Sequence, residues 1–162
     1  MRDFKSDLAL IFEPVRSNYI ETISTISQPI QAVMSPEHPL SKFKSINLAD
    51  CLKYPLALPP SPYAVREILE TAAAEESLDL NPTVEAESYI FLHNFVSRKK
   101  NAISFEVEID VPKQSLNRSI STVPINLSKS HQGQIHLLKL QGRAFSGATE
   151  QFIKQLLYVF NN

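Results

Sequence analysis

Residues 34–70 read MSPEHPLSKFKSINLADCLKYPLALPPSPYAVREILE, and the fold turns on how that stretch is read. Ser35-Pro36-Glu37-His38-Pro39 is a corner, because proline fixes φ and drives the residue before it out of the helical region. Asn47 can cap a short helix whose inner face is Leu48, Cys51 and Leu52, and Pro55 stops it. Leu56-Ala57-Leu58 is a brief buried strand. Pro59-Pro60-Ser61-Pro62 then leads into a longer helix, in which Val65, Ile68, Leu69, Ala72 and Ala73 repeat at helical spacing while Arg66, Glu67 and Glu70 face outward. The corner marks the exit from one lobe and the entry to a second, and the proline loop is expected to form one wall of a cleft.

Ser61 followed by Pro62 suits a helix start, with a side-chain oxygen for an orphan N–H and proline at the first helical position. A helix N-terminus just beyond a strand's carboxyl end is where open α/β sheets bind ligands, and its N–H groups favour anions. Ser61 as a plain cap and Ser61 as a ligand contact both stay open. His38 in the corner is read as a turn group bonded to backbone, and Cys51 on an apolar stripe as core.

Outward from that stretch, strands and helices alternate. Leu8-Ala9-Leu10-Ile11-Phe12 is an unbroken apolar run, which suggests a strand of a parallel sheet covered on both faces. Ile20 to Ser35 is rich in β-branched residues and ends in a second strand, Ile30 to Met34. Thr83 to Ala86 is a third. Glu87 or Ser88 opens a helix from Tyr89 to Val96 that is apolar on most sides and therefore expected to be buried. Arg98-Lys99-Lys100 suits its C-terminus, with Asn101 as a left-handed stop. Phe105, Val107 and Ile109 alternate with Glu106, Glu108 and Asp110, so the carboxylates are read as the solvent face of a half-buried strand rather than an acid–base pair. Ile120 to Leu127 contains Pro124 and is an edge or crossover strand. His131 and His136 fall on opposite faces of a strand, which argues against a two-histidine metal site. Ile135 to Leu140 is a strand, Gly142 turns, and Ser146 caps a last helix with Phe152, Ile153, Leu156, Leu157 and Phe160 on one face. The class is α/β.

Composition narrows the function. Of 162 residues, 43% are hydrophobic and 20% charged, which is globular rather than disordered. A formal net charge of −1 offers no general field for nucleic acid or an anionic membrane. One cysteine excludes an internal disulfide framework and fits a reducing compartment. No signal-type apolar core follows Met1, since Asp7 interrupts it, and no segment is long enough for a membrane span, so a cytoplasmic protein is expected. Only three glycines are present, too few for a phosphate-cradling glycine loop. No nucleophile, base and orienting group converge, so no enzyme, cofactor or metal is expected.

Several ordered motifs carry a resemblance. Asp7 to Phe12, Glu37-His38-Pro39-Leu40-Ser41, Leu48 to Leu56, Asn101 to Phe105, and Leu140 to Ser146 together resemble the effector-binding domain of LysR-type transcriptional regulators. The resemblance spans nearly the whole chain. It implies a two-lobe fold of the periplasmic-binding-protein type (type II), with residues 1–35 and 121–162 forming the first lobe and 36–120 the second. It also implies that a small-molecule effector, anionic or an aromatic acid, sits in the cleft and controls transcription. Carried over residue by residue, the pocket comprises Phe12, Glu13, Pro60, Ser61, Pro62, Tyr63 and Val123. The chain departs from the family in lacking the N-terminal winged helix-turn-helix and the first two strand–helix units of the first lobe. DNA is therefore expected as a partner only through the absent domain. The homodimer or tetramer of the family loses its first helix, and an exposed apolar patch is expected where those elements belong. Lys99-Lys100-Asn101 stands where many members carry glycine. The competing readings are a solute-binding protein of the same fold and a gene remnant without independent activity.

Overall fold

Pro29 separates strand β2 (Ile20–Gln28) from strand β3 (Ile30–Met34), and without an N–H it cannot carry one ladder into the next. The computed structural model describes residues 6–12, 17–107, 120–128 and 133–160. In it β2 belongs to a three-stranded sheet and β3 to a five-stranded one. Contacts gather the chain into two units, Met1–Ser27 with Gln134–Asn162, and Gln28–Gly133.

The smaller unit holds strand β1 (Leu8–Phe12), β2 and strand β8 (Gly133–Leu140) in the order β1-β8-β2. The expected first strand is present, but its surroundings differ from those expected of a parallel, doubly covered strand. β1 runs antiparallel to β8, with Leu8 opposite Lys139 and Phe12 opposite Ile135. It stands at the end of the described sheet order, and Leu10 is 43% exposed. An apolar run of this length records strand propensity without recording how many faces are covered. Helix α4 (Gly147–Phe160) follows, and Ser146 caps it as expected, its hydroxyl accepting from Thr149 N–H at 3.2 Å. Ile153 is the buried residue of α4, while Phe152, Tyr158 and Val159 are exposed. Phe152 thus leaves the apolar face to which its spacing assigned it.

The larger unit is built on β3 with β4 (Leu56–Leu58), β5 (Pro82–Glu85), β6 (Ile103–Val107) and β7 (Ser121–Pro124), in the order β5-β4-β6-β3-β7. Strand β4 pairs in parallel with β5 and β6. β3 is antiparallel to both β6 and β7. Pro124 therefore lies in an edge strand, where a missing donor is tolerated. The pairing of Ala32 with Phe105 and of Val33 with Ser104 fixes the two faces of the sheet. Ile103, Phe105 and Val107 look to one side, Ser104 and Glu106 to the other.

Helix α2 (Ala64–Glu75) packs against β6, and helix α3 (Tyr89–Arg98) against β3, β4 and β6. Leu92 and Val96 of α3 bury against Val33, Ala57 and Ala102. Each such large aliphatic chain contributes roughly 1.5–3 kcal/mol by leaving water. The start of α3 follows expectation, since Ser88 accepts from Phe91 N–H. Its burial does not: Ile90 is 75% and Phe91 50% exposed, because one stripe alone faces the sheet. Nor is Asn101 left-handed; among the described non-glycine residues only Ser77 has a positive φ. The chain instead closes with Ala102 N–H on the carbonyl of Lys99 at 2.8 Å.

Candidate functional site

Because β4, β5 and β6 are parallel, their carboxyl ends share one edge of the larger sheet, joined there by the start of β3 and the end of β7. Beyond that edge is where sheets of this kind take ligands. The segment leaving β4 at this edge is Pro59–Tyr63. Pro59 is buried, Pro60 half-buried, and Ser61, Pro62 and Tyr63 exposed. Its three prolines supply no N–H groups, and Tyr63 N–H turns back onto the carbonyl of Pro60 at 3.0 Å. That turn postpones the helix. α2 begins at Ala64 with Tyr63 as an N-cap in extended geometry and with no side-chain capping bond. Ser61 therefore is not the cap, and Pro62 is not the first helical residue; both ride in the turn. The N–H groups of the first turn of α2 lie immediately beyond it, where a helix has donors without intrahelical partners.

Pro60, Ser61, Pro62 and Tyr63 thus come together in one exposed turn. Val123 lies in the same unit, 1% exposed and opposite Ala32 in β7. Its register row runs through Ala32 and Phe105 toward the end of β4, three strand spacings or about 14 Å away. Phe12 ends β1 in the smaller unit, half-buried. Glu13 lies outside the described residues, as do His131, Glu108, Ile109 and Asp110 of the sequence reading.

One charged group at this edge escapes the sequence pattern. Arg66 falls on the side of α2 expected to face water, yet it is only 8% exposed. Its Nε donates to Glu70 Oε1 at 2.6 Å and its Nη1 to Glu85 Oε1 at 2.7 Å. The same Nη1 approaches the carbonyl of Pro59 at 3.5 Å. Burial opposes the charge of the guanidinium, but the two carboxylates outweigh it and raise its pKa. No motif announces such a group. The one sequence hint is a basic residue one helical turn after a proline loop, with Glu70 four residues on.

The alternation through β6 misleads in a similar way. Glu106 is fully buried rather than solvent-facing, with Oε1 against His93 Nε2 of α3. β6 is a central strand whose second face lies under α3, so alternation there divides two buried faces. Glu108 and Asp110, the rest of that acidic series, fall beyond the described residues.

His38 and Cys51 behave as the sequence reading holds. Leu40 N–H donates to His38 Nδ1 at 3.1 Å, and the imidazole is fully buried, edge-on to Tyr54 at 4.4 Å. Burial pushes its pKa below the ordinary value. Cys51 is buried on α1 (Leu48–Cys51), where burial first and the Asp50 charge second push the thiol up to about 12. Asn47 precedes α1 but makes no capping bond with its side chain; its Oδ1 instead accepts from Asn126 Nδ2 at 3.1 Å. Among the described residues no three His, Cys, Asp or Glu side chains gather in a metal-binding group. No described helix is long and apolar enough to cross a membrane.

Comparison with known proteins agrees with this architecture. The family model of the LysR substrate binding domain matches residues 1–161. The effector-binding domain of QuiR in complex with shikimate is 25% identical, with a TM-score of 0.69 over 94% of this chain and 71% of that one. The regulatory domain of CcmR from Synechocystis PCC6803, in complex with 2-PG, shares the fold at 15% identity, with a TM-score of 0.76 over 100% of this chain and 77% of that one. HinK, a LysR family transcriptional regulator from Pseudomonas aeruginosa, gives a TM-score of 0.73 at 18% identity; 94% of this chain covers 52% of it. No curated protein sequence matches the chain. The two-sheet α/β architecture is thus that of the periplasmic-binding-protein-like type II domains.

Proposed function

We propose that this chain, which belongs to the LysR substrate-binding-domain family, senses a small carboxylate or aromatic acid and passes its occupancy to a DNA-binding domain outside this sequence. The observation that carries the reading is the match to the shikimate-bound domain at 25% identity over 94% of the chain. The chemistry of the edge supports it. Pro60, Ser61, Pro62 and Tyr63 present a hydroxyl and an aromatic ring beside the first turn of a twelve-residue helix, whose N–H groups and dipole favour negative charge. Ser61 is the hydrogen-bonding contact in this reading and Tyr63 the ring that stacks on an unsaturated acid. Phe12, Glu13 and Val123 are proposed as further effector contacts.

In the same reading the lobes are residues 1–35 with 121–162 and residues 36–120. The protein works in the cytoplasm as a sensor and converts nothing. Self-association and promoter contact belong to the full-length regulator. Thermal-shift screening with shikimate, 2-PG and a panel of small carboxylic and aromatic acids tests the proposal. A ligand that binds only the folded state at a hundred times its Kd stabilises by about 2.7 kcal/mol, roughly a 5–10 °C rise in melting temperature for a chain of this size. A cooperative melt that no acid shifts removes the sensing function.

A further inference from the structure

The proline loop has little of its own with which to hold a shape. Of the residues from Pro59 to Tyr63 only Ser61 and Tyr63 carry an amide N–H, and that of Tyr63 is spent inside the turn on Pro60. A backbone this poor in donors cannot join a ladder as a strand does, so contacts from outside the loop help to set its position. Three of them close a ring, and a fourth orients the arginine within it. β4 ends at Leu58, whose carbonyl accepts from Ala86 N–H at 3.1 Å, which pins the end of β5 to the start of the loop. Glu85, the last residue of β5, accepts from Arg66 Nη1 at 2.7 Å. Arg66 sits in the first turn of α2, just past the loop, and the same Nη1 reaches the carbonyl of Pro59. Its Nε is held by Glu70 on its own helix, which fixes the direction in which the planar group points.

We propose that Arg66 is a positioning residue for the effector loop, bracing both ends of Pro59–Tyr63 against the end of β5 through Glu85. The inference rests on the effector-site reading above for its functional consequence, but the brace is a property of the unliganded chain. A lysine could not replace the arginine. Its single ammonium is a point donor and cannot meet Glu70, Glu85 and Pro59 in the directions that a fixed guanidinium fork provides. Glu85 in turn owes its place to the parallel pairing of β4 and β5, so the brace transmits sheet geometry to the loop.

Hydrogen exchange of the full 162-residue chain without ligand, comparing wild type with Arg66→Lys and the milder Glu85→Gln, tests the brace directly. The expected result is an approximately tenfold faster exchange of the Tyr63 amide in both variants, with the amides of β6 unchanged. In parallel, an acid that stabilises the wild type should bind each variant about tenfold more weakly at a temperature where all three are fully folded. Unchanged Tyr63 exchange in both variants overturns the proposal. So does an equal acceleration at Tyr63 and throughout β6, which would make Arg66 a contributor to global stability alone. If Tyr63 accelerates selectively while no acid binds even the wild type, the brace stands and the effector reading is the part that fails.

Discussion

Glu106 Oε1 lies against His93 Nε2 where β6 passes under α3, and the carboxylate is wholly shielded from water. The pair is a polar point beside an apolar cluster that includes Leu92, Val96, Val33, Ala57 and Ala102. Removing one partner of a buried polar contact leaves the other without a partner and costs about 1–3 kcal/mol, whereas replacing both by apolar groups of the same shape is often nearly neutral. His93→Leu is therefore expected to lower the urea midpoint sharply, and His93→Leu with Glu106→Leu to recover most of the loss. Losses that simply add across His93→Leu, Glu106→Leu and their combination would show that the groups are not coupled.

His38 makes stability depend on pH. Its pKa is lowered from the ordinary 6.5 by burial, so below that value the unfolded chain binds a proton that the folded chain resists. Linkage then has one sign: the stability present above pH 6.5 declines as pH falls through the window down to the lowered folded value. Urea unfolding at pH 7.5 and 5.5, in wild type and in His38→Asn, isolates this contribution. Asparagine keeps an acceptor for Leu40 N–H but does not titrate. The wild type is expected to lose more stability between the two pH values than the variant does; equal losses would place the acid sensitivity elsewhere.

Cys51 is expected to be inert while the chain is folded. A thiol moved from 9.0 to about 12 has about a thousandfold less thiolate at neutral pH, and the thiolate is the nucleophile. Labelling with iodoacetamide should be slower by at least that factor in the native protein than in denaturant. Comparable rates in the two conditions would mean that α1 opens readily around the thiol.

The parts of this fold legible in the sequence are those written locally. Pro55, Leu56 to Leu58 and Pro59 delimit β4 because proline punctuates the chain wherever it falls. Ser88 and Ser146 announce helix starts because capping is a contact over three residues. What escapes depends on neighbours distant in sequence. Leu10 is exposed because β1 has only β8 beside it among the described residues. Glu106 is buried because α3 covers a strand whose alternation looks half-solvated. Arg66 is buried because Glu85, nineteen residues away, meets it across the end of the sheet. The candidate site divides in the same way: the Pro60–Tyr63 turn is visible as composition, whereas its brace is visible only in three dimensions. Helix periodicity also overstates burial in α3 and α4, where Phe91 and Phe152 remain in water.

The central claim is that an acid binds at the turn following β4, and a titration of the wild type and Tyr63→Ala with the same acid tests it most directly. Calorimetry with whichever panel acid stabilises the wild type should show one saturable site in the wild type. In Tyr63→Ala the affinity should fall at least tenfold, because the ring supplies a stacking surface worth more than about 1.4 kcal/mol. Identical affinities, or no heat with any acid in a chain that melts cooperatively, would contradict the account.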